Sequence, residues 1–265
     1  MAERRLDIFP GKRSARLTAF YPDTVKEKLP AVIILPGGAY IFCADVEGAP
    51  VARAFADLGY CAFVLEYSAL YDSAERVGVD EMNTDAVFPA QPEELAYAMA
   101  YVRDNAESFG TDGNRIVLCG LSAGGHLAAW YSAEERKNGE IAPAGQILCY
   151  PALDMREMHG EMGELMSYAV CGERTPGKET LEHISPLLNV HEGVPPTFMW
   201  HAAKDDIVSP QKTLDMAARL IENGVPCEMH LFPGRGHAVG AAEGMHCAQW
   251  IPLADRWMRR YIAGR

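Results

Sequence analysis

Short apolar runs bounded by turn residues alternate along the chain with longer stretches of helical spacing. The runs Ala31 to Leu35, Cys61 to Leu65, Ile116 to Cys119, Gln146 to Tyr150, Thr197 to Trp200 and Cys227 to Phe232 are of strand length. The stretches Val46 to Leu58, Pro92 to Ser108, Ser122 to Arg136, Pro210 to Glu222 and Cys247 to Tyr261 place apolar residues on one helical face. This alternation predicts an α/β fold, a mostly parallel sheet with helices on both faces. Gly59, Gly110, Gly139 and Gly224 follow four of the helical stretches, where a left-handed residue ends a helix. Arg4 to Phe9 and Ser14 to Tyr21, split by Pro10-Gly11, predict an antiparallel hairpin added at the sheet edge. One stretch, 152–194, mixes Met, Glu, Gly and His without strong periodicity, and its length predicts a short cap-like insertion. With no repeat and no linker, residues 1–265 read as a single domain.

Composition narrows the partners. Lys and Arg total 24 against 36 Asp and Glu, a net charge of −12 that repels phosphate backbones and anionic lipid, so neither nucleic acid nor membrane is expected. The start, Met1 to Asp7, has no following apolar stretch of the kind a secretory signal needs, and no window approaches a membrane span. A cytoplasmic protein is expected. The seven cysteines are widely spaced with no C-x-x-C, which predicts buried free thiols. No paired Cys/His spacing or H-E-x-x-H occurs, so no metal and no cofactor is expected.

Candidate chemistry begins at Gly120-Leu121-Ser122-Ala123-Gly124-Gly125, which follows a predicted strand and opens a predicted helix. This is the G-x-S-x-G nucleophile elbow in the context it requires. The turn is so sharp that only glycine fits two places before and after the serine, which lifts Ser122 above the sheet at the positive end of a helix. The base is expected later in the chain. His237 lies in a glycine-rich loop after the last strand, on the same sheet edge as Ser122, whereas His126 sits one helical turn further in and is expected to pack. His201, at the end of the preceding strand, is expected to support the acid. That acid belongs in the loop His201 to Pro210, where Asp205 and Asp206 compete for one role. In the turn Leu35-Pro36-Gly37-Gly38-Ala39-Tyr40, the backbone N–H groups of Gly38 and Ala39, with that of Ala123, are expected to form an oxyanion hole. Tyr40 is the expected substrate-binding side chain.

Taken together, Leu35 to Tyr40, Gly120 to His126, Ser185-Pro186-Leu187, Pro195 to Phe198, His201 to Asp205 and the His237 loop resemble an α/β-hydrolase of the bacterial acetyl-esterase group. That group includes acetylxylan and feruloyl esterases and is related to the hormone-sensitive-lipase-like esterases. The resemblance implies an α/β-hydrolase fold and selects Asp205 over Asp206 as the acid, by its place four residues after a histidine and three before a valine. It also implies a serine esterase acting on a small-molecule acyl ester. The hairpin fills much of the chain before Pro36, so the site should be covered only by 152–194, and a shallow open site favours a solvated alcohol such as an acetylated sugar. The alternatives are an aryl or feruloyl ester, an amide as in kynurenine formamidase, and, from another class, a catalytically inactive ligand-binding module on the same fold.

Overall fold

Each of the six apolar runs forms a strand. Ala31 to Leu35, apolar at every position, is buried throughout, as a strand covered on both faces is, whereas Cys227 to Phe232, with Glu228 and His230 at the sheet edge, is mostly half-buried. The computed structural model describes residues 1–9, 14–24, 27–134 and 141–264. Among them, one sheet contains β1 (Ala2–Leu6), β2 (Arg16–Tyr21), β3 (Pro30–Leu35), β4 (Cys61–Glu66), β5 (Asp112–Leu121), β6 (Gly145–Cys149), β7 (Thr197–Ala202) and β8 (Cys227–Phe232). Their order is β1-β2-β4-β3-β5-β6-β7-β8. β1 pairs antiparallel with β2, and β2 with β4, as expected of an edge hairpin. The remaining neighbours are parallel. The Pro10-Gly11 turn of the hairpin lies outside the described residues. Exposed Glu3, Arg4 and Arg5 put charge along the edge strand β1, which discourages pairing with another chain.

Alternation along β3 shows how the sheet is covered. Ala31, Ile33 and Leu35 enter one core with Leu95, Met99, Leu127 and Leu220, while Val32 and Ile34 enter the other with Phe55, Trp250 and Trp257. The first core therefore lies under α2 (Ala90–Asp104), α4 (Ala123–Ala133) and α7 (Pro210–Glu222), and the second under α1 (Ala49–Asp57) and α8 (Trp250–Trp257). A short α3 (Ala106–Phe109) follows α2 after a break at Asn105, so the single helix expected over Pro92 to Ser108 is two. Gly59, Gly110 and Gly224 have φ of 98°, 67° and 71°, the left-handed conformation expected of helix ends. Arg136 and Gly139, the expected end of the helix after Ser122, lie outside the described residues.

The stretch 152–194 contains α5 (Gly160–Cys171) and α6 (Lys178–His183). On α5, Met162, Leu165, Met166, Ala169 and Val170 share one helical face, which is buried except at Met162. The seven cysteines are free thiols, but Cys43, Cys171 and Cys227 are half-buried rather than buried. No helix among the described residues is long and apolar enough to cross a membrane.

Candidate active site

Parallel strands deliver their carboxyl ends to one edge, and the register does the rest. Leu35 lies beside Gly120, Leu121 beside Cys149, and Ala202 beside Phe232, so the loops after β3, β5, β7 and β8 open next to one another. These are the loops that carry Gly38, Ser122, Asp205 and His237.

Ser122 joins β5 to α4 with φ 52° and ψ −115°, a backbone conformation that non-glycine residues rarely adopt. The chain can turn this tightly only because the flanking residues lack side chains. A Cβ at Gly120 would stand 2.2 Å from the Gly124 carbonyl oxygen, and one at Gly124 would stand 1.9 Å from that of Leu35. The strained turn is held from outside: the Ser122 N–H donates to the Cys149 carbonyl, and the Ser122 carbonyl accepts from the amides of His126 and Ala152.

Ser122 Oγ stands 2.8 Å from His237 Nε2, and His237 Nδ1 stands 2.7 Å from Asp205 Oδ2. Since a carboxylate only accepts, Nδ1 carries the proton and Nε2 is free to accept from the serine hydroxyl. Asp205 is closed off from solvent and fully hydrogen-bonded. Its Oδ1 accepts from the amides of Ile207 and Val208, and its Oδ2 also accepts from His201 Nε2 at 3.0 Å. Thr213 fixes His201 from the other side, at 2.8 Å from Nδ1. Burial alone would raise the Asp205 carboxyl, but the hydrogen bonds from His201, His237 and Val208 outweigh it and hold the group well below the usual carboxylate range. Asp206 points outward to pair with Arg235. His126 is buried against Tyr40 and the Ile184 carbonyl, away from Ser122 Oγ.

Gly38 and Ala39 take φ of 112° and 56°, left-handed conformations in which a turn can present successive N–H groups on one side. Among the described residues, neither amide finds a protein acceptor. Both residues line a cavity of about 340 Å³ together with Ser122, Ala123 and His237. Tyr40 corrects the sequence reading. Its own φ of 61° turns the ring back into the core, where it is fully buried with its hydroxyl 2.8 Å from His126 Nδ1 and its ring against Tyr67 and Phe88. It does not line the cavity; Ile41 and Phe42 do. Three methionines spaced four apart, Met158, Met162 and Met166, cover the cavity with Ile207 and Val208.

Two further residues carry no local signal at all. Glu47 is fully buried, with Oε2 accepting the Gly37 N–H and Oε1 accepting the Tyr150 hydroxyl, each at 2.7 Å. Burial pushes the Glu47 carboxyl upward, and the hydrogen bonds from Tyr150 and Gly37 oppose that shift. Among the described residues, no three His, Cys, Asp or Glu side chains cluster as metal ligands would.

The chain matches the BD-FAE family over residues 17–220. It is 28% identical to an endo-1,4-beta-xylanase B of Butyrivibrio fibrisolvens over 84% of this chain and 34% of that protein. It is 26% identical to esterase LipQ of Mycobacterium tuberculosis over 90% of this chain and 53% of that protein. It thus spans about a third of the first relative and about half of the second. Among solved structures, an acetyl ester-xyloside bifunctional hydrolase from Caldicellulosiruptor lactoaceticus superposes with a TM-score of 0.77 at 29% identity, over 94% of this chain and 89% of that one. The α/β hydrolase MGS-M1, from a deep-sea metagenome library, gives 0.75 at 27%, over 99% and 98%. A family match over most of the chain, on the sheet and elbow described above, bears out the resemblance read from the motifs: this chain belongs to the BD-FAE family of α/β-hydrolases.

Proposed function

We propose that the protein is a serine esterase of small acyl esters, with Ser122 as nucleophile, His237 as base and Asp205 as acid. The observation that carries the reading is the continuous relay from Ser122 through His237 to Asp205, at 2.8 and 2.7 Å, opening on the cavity beside the Gly38 and Ala39 turn. Ser122 Oγ attacks the ester carbonyl as its proton passes to His237 Nε2. Asp205 stabilises the imidazolium, while the amides of Gly38, Ala39 and Ala123 meet the charge that develops on the carbonyl oxygen. Collapse breaks the ester bond, and the departing alkoxide takes the proton from His237. A water then repeats the attack on the acyl-enzyme, giving its proton to His237, and the free acid leaves as Ser122 regains its hydrogen.

Acetyl esters of carbohydrates are the preferred substrates in this reading. Support comes from the names of two relatives, an acetyl ester-xyloside hydrolase and a xylanase, and from a cavity near the small end of ligand sites, shared by acyl and alcohol parts. The apolar lining favours a second reading: Met158, Met162, Met166 and Ile207 would suit an aryl ester such as a feruloyl ester. The remaining alternative, an amide substrate, has no such observation behind it. Purified protein is to be compared with Ser122→Ala on p-nitrophenyl acetate through octanoate, acetylated xylo-oligosaccharides and a feruloyl ester. The variant should lose roughly a millionfold in kcat. Turnover should fall from acetate to octanoate and be highest on the acetylated sugar. A Ser122→Ala variant retaining a tenth of the activity would exclude Ser122 as nucleophile, and higher kcat/KM on the feruloyl ester would select the aryl reading.

A further inference from the structure

Glu47 has no part in the relay, yet it is a fully buried acid placed between two of its loops. One oxygen accepts the N–H of Gly37, the residue before the turn that presents Gly38 and Ala39. The other accepts the hydroxyl of Tyr150, and the Tyr150 oxygen in turn accepts the N–H of Gly240 at 3.0 Å, three residues beyond His237. The hydrogen-bonded chain Gly37–Glu47–Tyr150–Gly240 therefore ties the turn after β3 to the loop after β8, passing beside Ser122.

The packing leaves little slack at either end. A Cβ at Gly37 would stand 2.4 Å from Glu47 Oε2 and 2.8 Å from Ser122 Cβ, and a Cβ at Gly240 would stand 2.0 Å from the Val46 carbonyl oxygen. Tyr150 is itself held at φ 38°, with its ring centroid 4.9 Å from that of His237. A buried carboxyl carries a desolvation cost that a hydrophobic residue would avoid, so its two short hydrogen bonds, one to the turn after β3 and one to Tyr150, which in turn holds the loop after β8, are a specific use of a costly group. We infer that Glu47 is a positioning residue that, through Tyr150, holds the oxyanion turn and the His237 loop in a single register, so that amides and imidazole meet the same ester carbonyl. This inference rests on the serine-esterase reading.

The test is steady-state kinetics on p-nitrophenyl acetate with wild type, Ser122→Ala, Glu47→Gln, Tyr150→Phe and the double variant Glu47→Gln/Tyr150→Phe, each with its melting temperature. Glutamine keeps the length of the side chain and an acceptor for Gly37 but offers Tyr150 a donor in place of an acceptor. Tyr150→Phe keeps the ring and removes the link to both Glu47 and Gly240. Each single variant is expected to lower kcat by roughly tenfold to a hundredfold with KM nearly unchanged, the signature of misplaced groups in the transition state. The double variant should be no worse than the weaker single, because both changes cut the same chain. Wild-type kcat in Tyr150→Phe overturns the inference, even if Glu47→Gln fails to fold. So do losses that multiply in the double variant, or that appear only as a lower melting temperature. A wild type no more active than Ser122→Ala would instead overturn the serine reading and take this inference with it.

Discussion

Asp205 and Asp206 are neighbours in the chain with opposite surroundings. The Asp205 carboxylate is closed off from solvent by His237, His201 and two amides, whereas Asp206 is mostly exposed beside Arg235. Consecutive side chains in an extended loop point apart, so only one of them can reach the imidazole. Asp205→Asn should lower kcat by about ten-thousandfold, since the amide favours the wrong histidine tautomer and leaves the imidazolium without its counter-charge. Asp206→Asn should change kcat by less than about threefold and hardly move the melting temperature, an exposed ion pair contributing about 0–1 kcal/mol. Measuring kcat for both on one acetate ester decides it; a larger loss at Asp206 would reverse the assignment. Local spacing left the two open, and only the resemblance chose between them. Tyr40 shows the opposite failure: its place after Gly38 and Ala39 pointed to the site, but three consecutive positive φ values carry the ring away from it.

Among the elements, the β5–α4 elbow is the most constrained. Gly124 packs against the backbone of β3, where an added Cβ would meet the Leu35 and Pro36 carbonyl oxygens at 1.9 and 2.6 Å. Backbone atoms cannot step aside as a flexible side chain can, so β3 and the Gly37–Ala39 turn that follows it would have to shift. Gly124→Ala should therefore cost about 1–3 kcal/mol of stability, together with a loss of roughly a hundredfold in kcat. Gly177→Ala, at φ −67° with open space around it, should leave kcat unchanged and cost no more than about 1 kcal/mol, from the weaker N-cap of α6. Urea unfolding and kcat for the pair give the answer, and equal behaviour of the two variants would mean that the elbow tolerates a side chain. The elbow was legible because its constraint is local, two glycines around one serine between a strand and a helix. Helix α5 was not. Its apolar face, Met162, Leu165, Met166, Ala169 and Val170, is short, and Tyr168 and Cys171 on the other sides dilute the contrast that marks a surface helix.

At the scale of the whole molecule, His126 joins parts that are far apart in the chain. It lies on α4, accepts from the hydroxyl of Tyr40 in the turn after β3, and donates through Nε2 to the Ile184 carbonyl in the 152–194 stretch. Burial pushes its pKa down from 6.5 to about 4, against a smaller upward pull from the Ile184 hydrogen bond. Because the folded pKa is depressed, the unfolded chain takes up the proton first as pH falls. The contribution of neutral His126 is complete above pH 6.5, declines down to about pH 4, and is gone below that. The decline should be on the order of 3 kcal/mol. Asp205, also depressed, loses its contribution only below its usual value of 3.8, so the two windows separate. Unfolding free energies between pH 7.5 and 4.5 (roughly, the span over which an unperturbed histidine titrates) should fall for wild type and fall less for His126→Gln. Parallel curves would remove His126 from this role.

The sequence by itself determined the strands, the alternation that makes the sheet parallel, the edge hairpin and the elbow, because each is a property of a few neighbouring residues. Runs such as Val32 to Leu35 are apolar at every position and have no low-energy place except between two layers. Tertiary structure decided what depends on distant partners. Glu47 and Tyr150 are 103 residues apart, and nothing near either one marks it as half of a bridge. The direction of Tyr40, the partner of each aspartate, and the methionine cover of the cavity likewise follow from loops that meet only when parallel strands bring their carboxyl ends to one edge. A side chain's identity is written locally, but its neighbours across the sheet are chosen by the fold.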